Sequence, residues 1–323
     1  MNLFEVVKQK LVNKGVSIVF PEGTEPRILG AAARLKKENL VEPVLVGNTD
    51  EIKRVAAEHN FDISGIKIES AESYANFDKM VDAFVERRKG KATVEQAREL
   101  LKDENYFGTM LCYMGEVAGM VSGAVHTTGD TVKPALQIIK TKPGVSRTSG
   151  AFVMISPEGE RYIFADCAIN ITLGAEEMAE VAIESAKTAK IFDIDPKVAM
   201  LSFSTMGSAN APEATKVAEA TAKAKAMAPE LAIDGELQFD AAFVEKVAAQ
   251  KAPGSAVAGK ANVFVFPSLE AGNIGYKIAQ RFGKFVAVGP ILQGLNKPVN
   301  DLSRGCNEDD VYKLALITAM QSL

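Results

Sequence analysis

Ser303, Arg304 and Gly305, followed shortly by Glu308, Asp309 and Asp310, put a hydroxyl, a guanidinium, a small backbone position and three carboxylates into one short stretch. An arginine fork matches a phosphate or carboxylate in bidentate fashion. The serine can donate a hydrogen bond to an oxygen, and glycine lets backbone N–H groups come close to a ligand. A carboxylate beside such a site could take a proton from an attacking group. The chemistry on offer is that of holding a reactive anion and deprotonating its attacker. The same acids admit a plainer reading, in which Asn307 caps a helix and acidic residues complement the dipole of its first turn.

A second cluster points the same way. His126-Thr127-Thr128-Gly129-Asp130 follows an apolar run and precedes Lys133-Pro134. With Pro134 read as the first helical residue, Lys133 would sit at a helix N-terminus, where the dipole disfavours a cation unless an anion lies between them. A strand, a hydroxyl- and glycine-bearing turn and a helix N-terminus also make a phosphate site. Alternatively, Thr127, Thr128 and Asp130 cap the helix and Lys133 points to solvent. His126 could donate to a phosphoryl or carbonyl oxygen, or simply complete a strand end.

The elements that must position these groups show in the periodicity. Short β-branched runs at 16–20, 43–47 and 66–68 alternate with helix-period stretches around 28–35 and 52–59. This alternation marks an α/β domain with a largely parallel sheet. Residues 73–116 read as mostly helical, and 118–124 as a strand. The Lys-, Pro-, Gly- and Ser-rich segment 141–149 reads as a crossover into a second domain. There, 152–156 and 162–165 read as a hairpin, so that the second sheet is mixed. Helices are expected at 175–191 and 272–282, and strands at 198–201, 231–237 and 263–266. The turn 202–210 is rich in hydroxyls. Residues 289–310 read as one long polar loop between a strand at 285–288 and a closing helix, with Val311, Leu314, Ala315 and Thr318 as its buried stripe.

Composition narrows the class. The chain has 323 residues, 47% hydrophobic and 24% charged, with a net charge of −4. That profile belongs to a globular chain with ample core and points to neither nucleic acid nor a membrane surface. No apolar run approaches a membrane span, and residues 1–5 read as the start of an amphipathic helix, not a signal peptide. Cys112, Cys167 and Cys306 have no metal or redox spacing and suit a reducing compartment, so a cytoplasmic location is expected. No metal site or cofactor is expected.

Several blocks in order carry a resemblance: His126–Asp130 with Pro134–Thr141, Phe164–Cys167, Ile233–Gln238, Lys251–Ser255, Gly272–Lys277 and Asn300–Cys306. Over nearly the whole chain the sequence resembles the phosphate acetyltransferases (phosphotransacetylases). The resemblance implies reversible acetyl transfer between acetyl-CoA and phosphate, with coenzyme A as substrate and no separate cofactor. It implies two α/β domains with a cleft between them, similar to the isocitrate dehydrogenase type of fold. Residues 1–141 with 297–323 would form the first domain and 142–296 the second. It further implies a homodimer, catalytic roles for Asp310, Ser303 and Arg304, and substrate binding by Arg281, Arg88 (with Arg87 as the alternative), Lys133, Thr128 and His126. Many members carry arginine where Lys133 stands, and lysine keeps the charge but not the fork.

In the mechanism this suggests, Asp310 takes the thiol proton of CoA, Ser303 steadies the carbonyl or departing phosphate, and Arg304 neutralises developing charge. Glu308 and Asp309 are expected to raise the basicity of Asp310 by like-charge repulsion. An acyl-Cys306 scheme would need a nearby base. Rival readings are a phosphate butyryltransferase on the same scaffold, and a non-catalytic sensor of CoA esters or acyl phosphates. A nicotinamide-linked dehydrogenase would need a metal cage and a Gly-x-Gly-x-x-Gly turn, and neither is found.

Overall fold

The computed structural model describes residues 3–323. Met1 and Asn2, where the expected first helix would begin, lie outside the described residues. Along the chain come α1 (Leu3–Leu11), β1 (Ser17–Phe20), α2 (Pro26–Lys37), β2 (Glu42–Val46), α3 (Thr49–Glu58) and β3 (Lys67–Glu69). Next are α4 (Phe77–Arg88), α5 (Val94–Leu100), α6 (Glu104–Tyr113), β4 (Gly119–Ser122) and α7 (Thr128–Pro134), which runs into a π-helical turn, Ala135–Ile139. Then follow β5 (Ser149–Ile155), β6 (Arg161–Ala165), α8 (Ala175–Ile191), β7 (Lys197–Leu201), α9 (Pro212–Met227) and β8 (Ala232–Leu237). The chain closes with α10 (Phe239–Phe243), α11 (Glu245–Lys251), β9 (Val263–Val265), α12 (Leu269–Arg281), β10 (Val286–Gln293), β11 (Val299–Asp301) and α13 (Glu308–Gln321).

Two compact units result, one of Met1–Lys142 with Leu295–Leu323 and the other of Pro143–Gly294. Leu295 and Asn296, expected in the second domain, belong to the first because their hydrogen bonds do. The Asn296 amide donates to the Lys140 carbonyl at 3.0 Å, and its side chain donates to the Thr141 carbonyl at 2.7 Å.

The first unit holds a wholly parallel sheet in the order β11-β4-β1-β2-β3. From central β1 the chain builds outward through β2 and β3, then returns to lay β4 and β11 on the other side. The boundary between β1 and β4 is therefore a topological switch point, and the crevice at its carboxyl edge is where open α/β sheets bind ligands. Residues 21–22, 123–126 and 302–304 leave β1, β4 and β11 at this same edge, as a parallel sheet requires.

The second unit is a mixed sheet ordered β10-β5-β6-β9-β7-β8. β5 pairs antiparallel with both β6 and β10, whereas the β6–β9, β9–β7 and β7–β8 pairs are parallel. Phe164, Phe264 and Met154 anchor its core.

Two expectations are corrected here. Residues 289–310 are not one loop: β10 continues to Gln293, and β11 follows after a short turn. A register shift between Val288 and Ile291 interrupts the alternation that would have marked β10 as a strand. Polar Asn300 and Asp301 disguise β11, although both are buried. Asn300 donates to Thr318 Oγ1 at 2.8 Å and to Gln321 Oε1 at 2.6 Å, which satisfies its amide inside the core. The closing helix also buries more than the expected stripe: Tyr312, Leu316, Ile317 and Ala319 join it. The physical reason is that α13 is packed by α1, α2 and the sheet together.

Gly123, the first residue after β4, has φ +106°, and a Cβ there would run into Asp301 Oδ1 and come within 2.8 Å of the Leu302 amide. Both neighbours are fixed by β11, so Gly123→Ala should destabilise the protein by about 1–3 kcal/mol. Urea unfolding of the two proteins side by side would check this; equal midpoints would refute it.

Candidate active site

At the switch point the organising group is Glu22. It is 2% exposed and accepts hydrogen bonds from the amides of Gly123 (3.1 Å), Ala124 (2.8 Å), Val125 (2.9 Å) and His126 (2.9 Å). His126 Nδ1 lies 2.8 Å from Glu22 Oε1. A buried carboxylate is tolerable only when its lone pairs are filled, and here the turn after β4 fills them.

Arg27, in the first turn of α2, ties this turn to the one after β11. Its Nε donates to Glu25 Oε1 at 2.6 Å and its Nη2 to the Ala124 carbonyl at 3.0 Å. Its Nη1 donates to the carbonyls of Arg304 (2.9 Å) and Cys306 (2.8 Å). One planar fork thus holds residues 124 and 304–306 in register. Neither Glu22 nor Arg27 was singled out from sequence. The only local hint was a charged pair around Pro26 at the end of a strand.

The groups expected to act are left open at this edge. Ser303, Arg304 and Asp310 are exposed. Among the described residues no hydrogen-bonding or ionic partner occupies the Arg304 guanidinium. Ser303 Oγ accepts from the Gly305 amide at 3.3 Å, which leaves its hydrogen available. Asp310 forms a capping box with Asn307. Its Oδ2 accepts from the Asn307 amide at 3.0 Å, and Asn307 Oδ1 accepts from the Asp310 amide at 2.9 Å. Asp310 therefore caps its helix through one oxygen, and the other has no hydrogen-bond partner among the described residues.

The expected like-charge pressure on Asp310 is not assembled as foreseen. Lys313 at 2.6 Å and Arg34 at 3.2 Å hold the Asp309 carboxyl below its usual range. Glu308 turns away to lie over Gly30 of α2. Cys306 is buried, and burial pushes its thiol up against the pull of Arg27, which disfavours it as a nucleophile.

Lys133 does not stand at a helix N-terminus. Thr127 and Asp130 form a capping box that starts α7 at Thr128, so Lys133 lies in its second turn and Pro134 at its end. The hydroxyl of Thr128 is committed to Asp301, donating to Oδ2 at 2.6 Å. Lys133 instead lines a cavity of about 590 Å³ with Arg88, Lys91, Tyr106 and Gln137. Among the described residues Arg88 has no hydrogen-bonding or ionic partner. Arg87 donates to the carbonyls of Ile138 (2.6 Å) and Ile139 (2.9 Å), closing the π-helical turn. Arg281 lies exposed at the end of α12, in the second unit. The hydroxyl-rich turn after β7 in that unit is pinned internally. Glu236 Oε1 accepts from Ser204 Oγ at 2.8 Å and from the Gly207 amide at 2.7 Å. Among the described residues no group of three or more His, Cys, Asp or Glu side chains could hold a metal ion.

Asp301 is 2% exposed, and burial pushes its carboxyl up to about 6, against the bond from Thr128. Its Oδ1 has no hydrogen-bond partner among the described residues. A carboxyl raised by folding binds a proton more tightly in the native state, so its contribution to stability is lost as pH rises from about 4 through about 6. A shift of ~2 units corresponds to roughly 3 kcal/mol. Asp301→Asn should therefore flatten the fall in unfolding free energy over that window, measured by denaturant titration at each pH. An unchanged slope would show that Asp301 is not the buried acid responsible.

The comparisons with known proteins agree with this architecture. A family model described as phosphate acetyl/butaryl transferase matches residues 2–319. The phosphate acetyltransferase of Bacillus subtilis is 62% identical over 322 residues, covering 100% of this chain and 99% of that protein. A phosphotransacetylase structure from Streptococcus pyogenes superimposes with a TM-score of 0.97 at 61% identity, covering 99% of this chain and 98% of the other. A branched-chain phosphotransacylase from Enterococcus faecalis shares the fold, with a TM-score of 0.69 at 19% identity over 95% of this chain and 99% of that one. The chain belongs to the phosphate acetyl/butaryl transferase family.

Proposed function

We infer that the protein is a phosphate acetyltransferase, interconverting acetyl-CoA and phosphate with acetyl phosphate and CoA. The observation that carries this reading is end-to-end identity of 62% with a phosphate acetyltransferase. The open Ser303–Arg304 turn at the carboxyl edge of the parallel sheet supports it.

The transfer proposed is direct. Asp310 takes the thiol proton, the thiolate attacks the acetyl carbonyl, Ser303 steadies an oxygen and Arg304 neutralises charge as phosphate departs. An ordinary thiol near pKa ~8.5 and an aspartate near ~3.9 differ by ~4.6 units, roughly 6 kcal/mol uphill. With Asp309 neutralised by its own cations, the burden of closing that gap falls on Arg304, which favours the thiolate. Arg88 and Lys133, on one cavity wall, are proposed to hold anionic parts of CoA, and Arg281 is proposed to contribute to CoA binding. Thr128 supports the turn through Asp301. No metal or cofactor beyond the substrates is proposed.

A cytoplasmic homodimer completes the reading. The three cysteines are free, and among the described residues no helix is long and apolar enough to cross a membrane. The second unit exposes an aromatic face around a cavity of about 450 Å³, where Phe282 is 87% exposed beside Ile278, Phe239 and Phe243. Such a patch is what a second copy would cover. Sedimentation equilibrium should give twice 34.5 kDa, and Phe282→Asp should shift the protein toward monomer; a monomeric parent would remove this part of the reading.

A coupled assay of thioester formation, run over a series of acyl chain lengths, separates the acetyl enzyme from a butyryl enzyme and from a sensor. Asp310→Asn should lower kcat by on the order of 100-fold or more with the KM for CoA nearly unchanged. Turnover surviving within a few-fold would place the base elsewhere. Arg304→Gln should raise the KM for the phosphate-bearing substrate and lower kcat without moving Tm; a fall in Tm alone would make it structural.

A further inference from the structure

Acetyl transfer has a second proton to manage besides that of the thiol. When the C–O bond of acetyl phosphate breaks, its electron pair goes to a phosphate oxygen. Without a proton the product would be the phosphate trianion, a poor leaving group near neutral pH. Asp310 is occupied with the thiol proton in that same step, so another group must serve.

His126 is placed for this. Its Nδ1 lies 2.8 Å from Glu22 Oε1, and an ionised carboxylate only accepts, so Nδ1 carries a hydrogen and Nε2 is the exchangeable position. Glu22 cannot turn away, because four backbone amides hold it. The imidazole keeps 30% of its surface open at the carboxyl edge of β4. Through Arg27, the turn bearing it is bound to the turn bearing Ser303 and Arg304. Among the described residues, the other carboxyls that interact electrostatically with His126 are Glu104 at the start of α6, pushed up to about 7 by burial, and Asp130 in α7. A buried carboxylate fixing the tautomer of a reachable imidazole is an arrangement for general acid–base work.

We propose that His126 carries the phosphate proton, with Glu22 as its positioning residue. Toward acetyl-CoA, the C–S bond forms as the C–O bond breaks, and the thiol proton passes to Asp310. The C–O electron pair stays on the phosphate oxygen, which takes the proton from Nε2. His126 is left neutral, its hydrogen on Nδ1 held by Glu22. Asp310 then releases its proton to solvent and Nε2 regains one. In reverse, neutral Nε2 removes the proton of hydrogen phosphate as it attacks the thioester. The assignment rests on the acetyl-transfer reading.

The test is steady-state kinetics on the full-length protein with CoA and acetyl phosphate. His126→Gln should lower kcat by on the order of 100-fold, with both KM values within about threefold. In His126→Ala, added imidazole should restore turnover at least tenfold, as loss of a proton carrier but not loss of packing allows. Because His59 and His126 are the two histidines in the chain, 15N spectra of labelled protein can read the tautomer directly. The neutral ring of His126 should be protonated at Nδ1 in the parent and lose that preference in Glu22→Gln. Folded His126→Gln turning over within threefold of the parent overturns the proposal, as does a loss that imidazole leaves untouched. A parent that forms no thioester would instead defeat the acetyl-transfer reading beneath it.

Discussion

A carboxylate that has lost nearly all contact with water must be surrounded by donors, and Glu22 finds them in four consecutive amides of the turn after β4. The dependence runs both ways. A chain leaving a parallel strand has no ladder partner for its N–H groups, and leaving the buried ones of Gly123 and Ala124 unpaired would cost about 1–3 kcal/mol each. Glu22 satisfies them and in doing so fixes where His126 stands. The same device recurs in the second unit. There Asp166, 2% exposed, accepts from the amides of Gly150, Ala168, Ile169 and Asn170, and Glu236 gathers Ser204 and Gly207. Buried acids at strand ends shape the loops of both sheets.

Around the switch point the charged residues divide by how firmly they are held. Glu22, Arg27 and Asp309 have their atoms engaged and set geometry, and Asp301 is held through the bond from Thr128. Arg304, Ser303, one oxygen of Asp310 and Nε2 of His126 face outward with capacity to spare. That division would suit the proposed catalysis, in which the groups assigned to react need not be rearranged because their supports are already in place. It also explains why two arginines so close in space do different work. Arg27 spends its donors on Glu25 and on backbone carbonyls, whereas Arg304 contributes its own carbonyl to that network and its fork has no partner among the described residues.

Much of the fold was legible in local pattern. The β-branched runs of β1 and β2, the hairpin of β5 and β6 and the length of α8 follow from apolar periodicity and turn chemistry, which act over a few residues. Ser303, Arg304 and Asp310 were legible as candidates only, because the acids at a helix start serve equally as caps, as the Asn307–Asp310 box shows. Lys133 was misplaced for a local reason: Pro134 favours a helix start, yet the reciprocal Thr127–Asp130 cap fixed the start earlier.

What the chain could not disclose by itself concerns partners far along it. Glu22 meets its donors about a hundred residues away, and Arg27 reaches Arg304 and Cys306 from 277 and 279 positions away. Asn300 and Asp301 read as loop because polar residues usually face water, and only the packing of α13 and α7 turned them into a buried strand. The amino-acid order decided which segments become strands and helices and which side chains could do chemistry. Tertiary structure alone decided which charges are buried and which stay open, because the cost of burying a charge depends on donors that only folding brings within 3 Å.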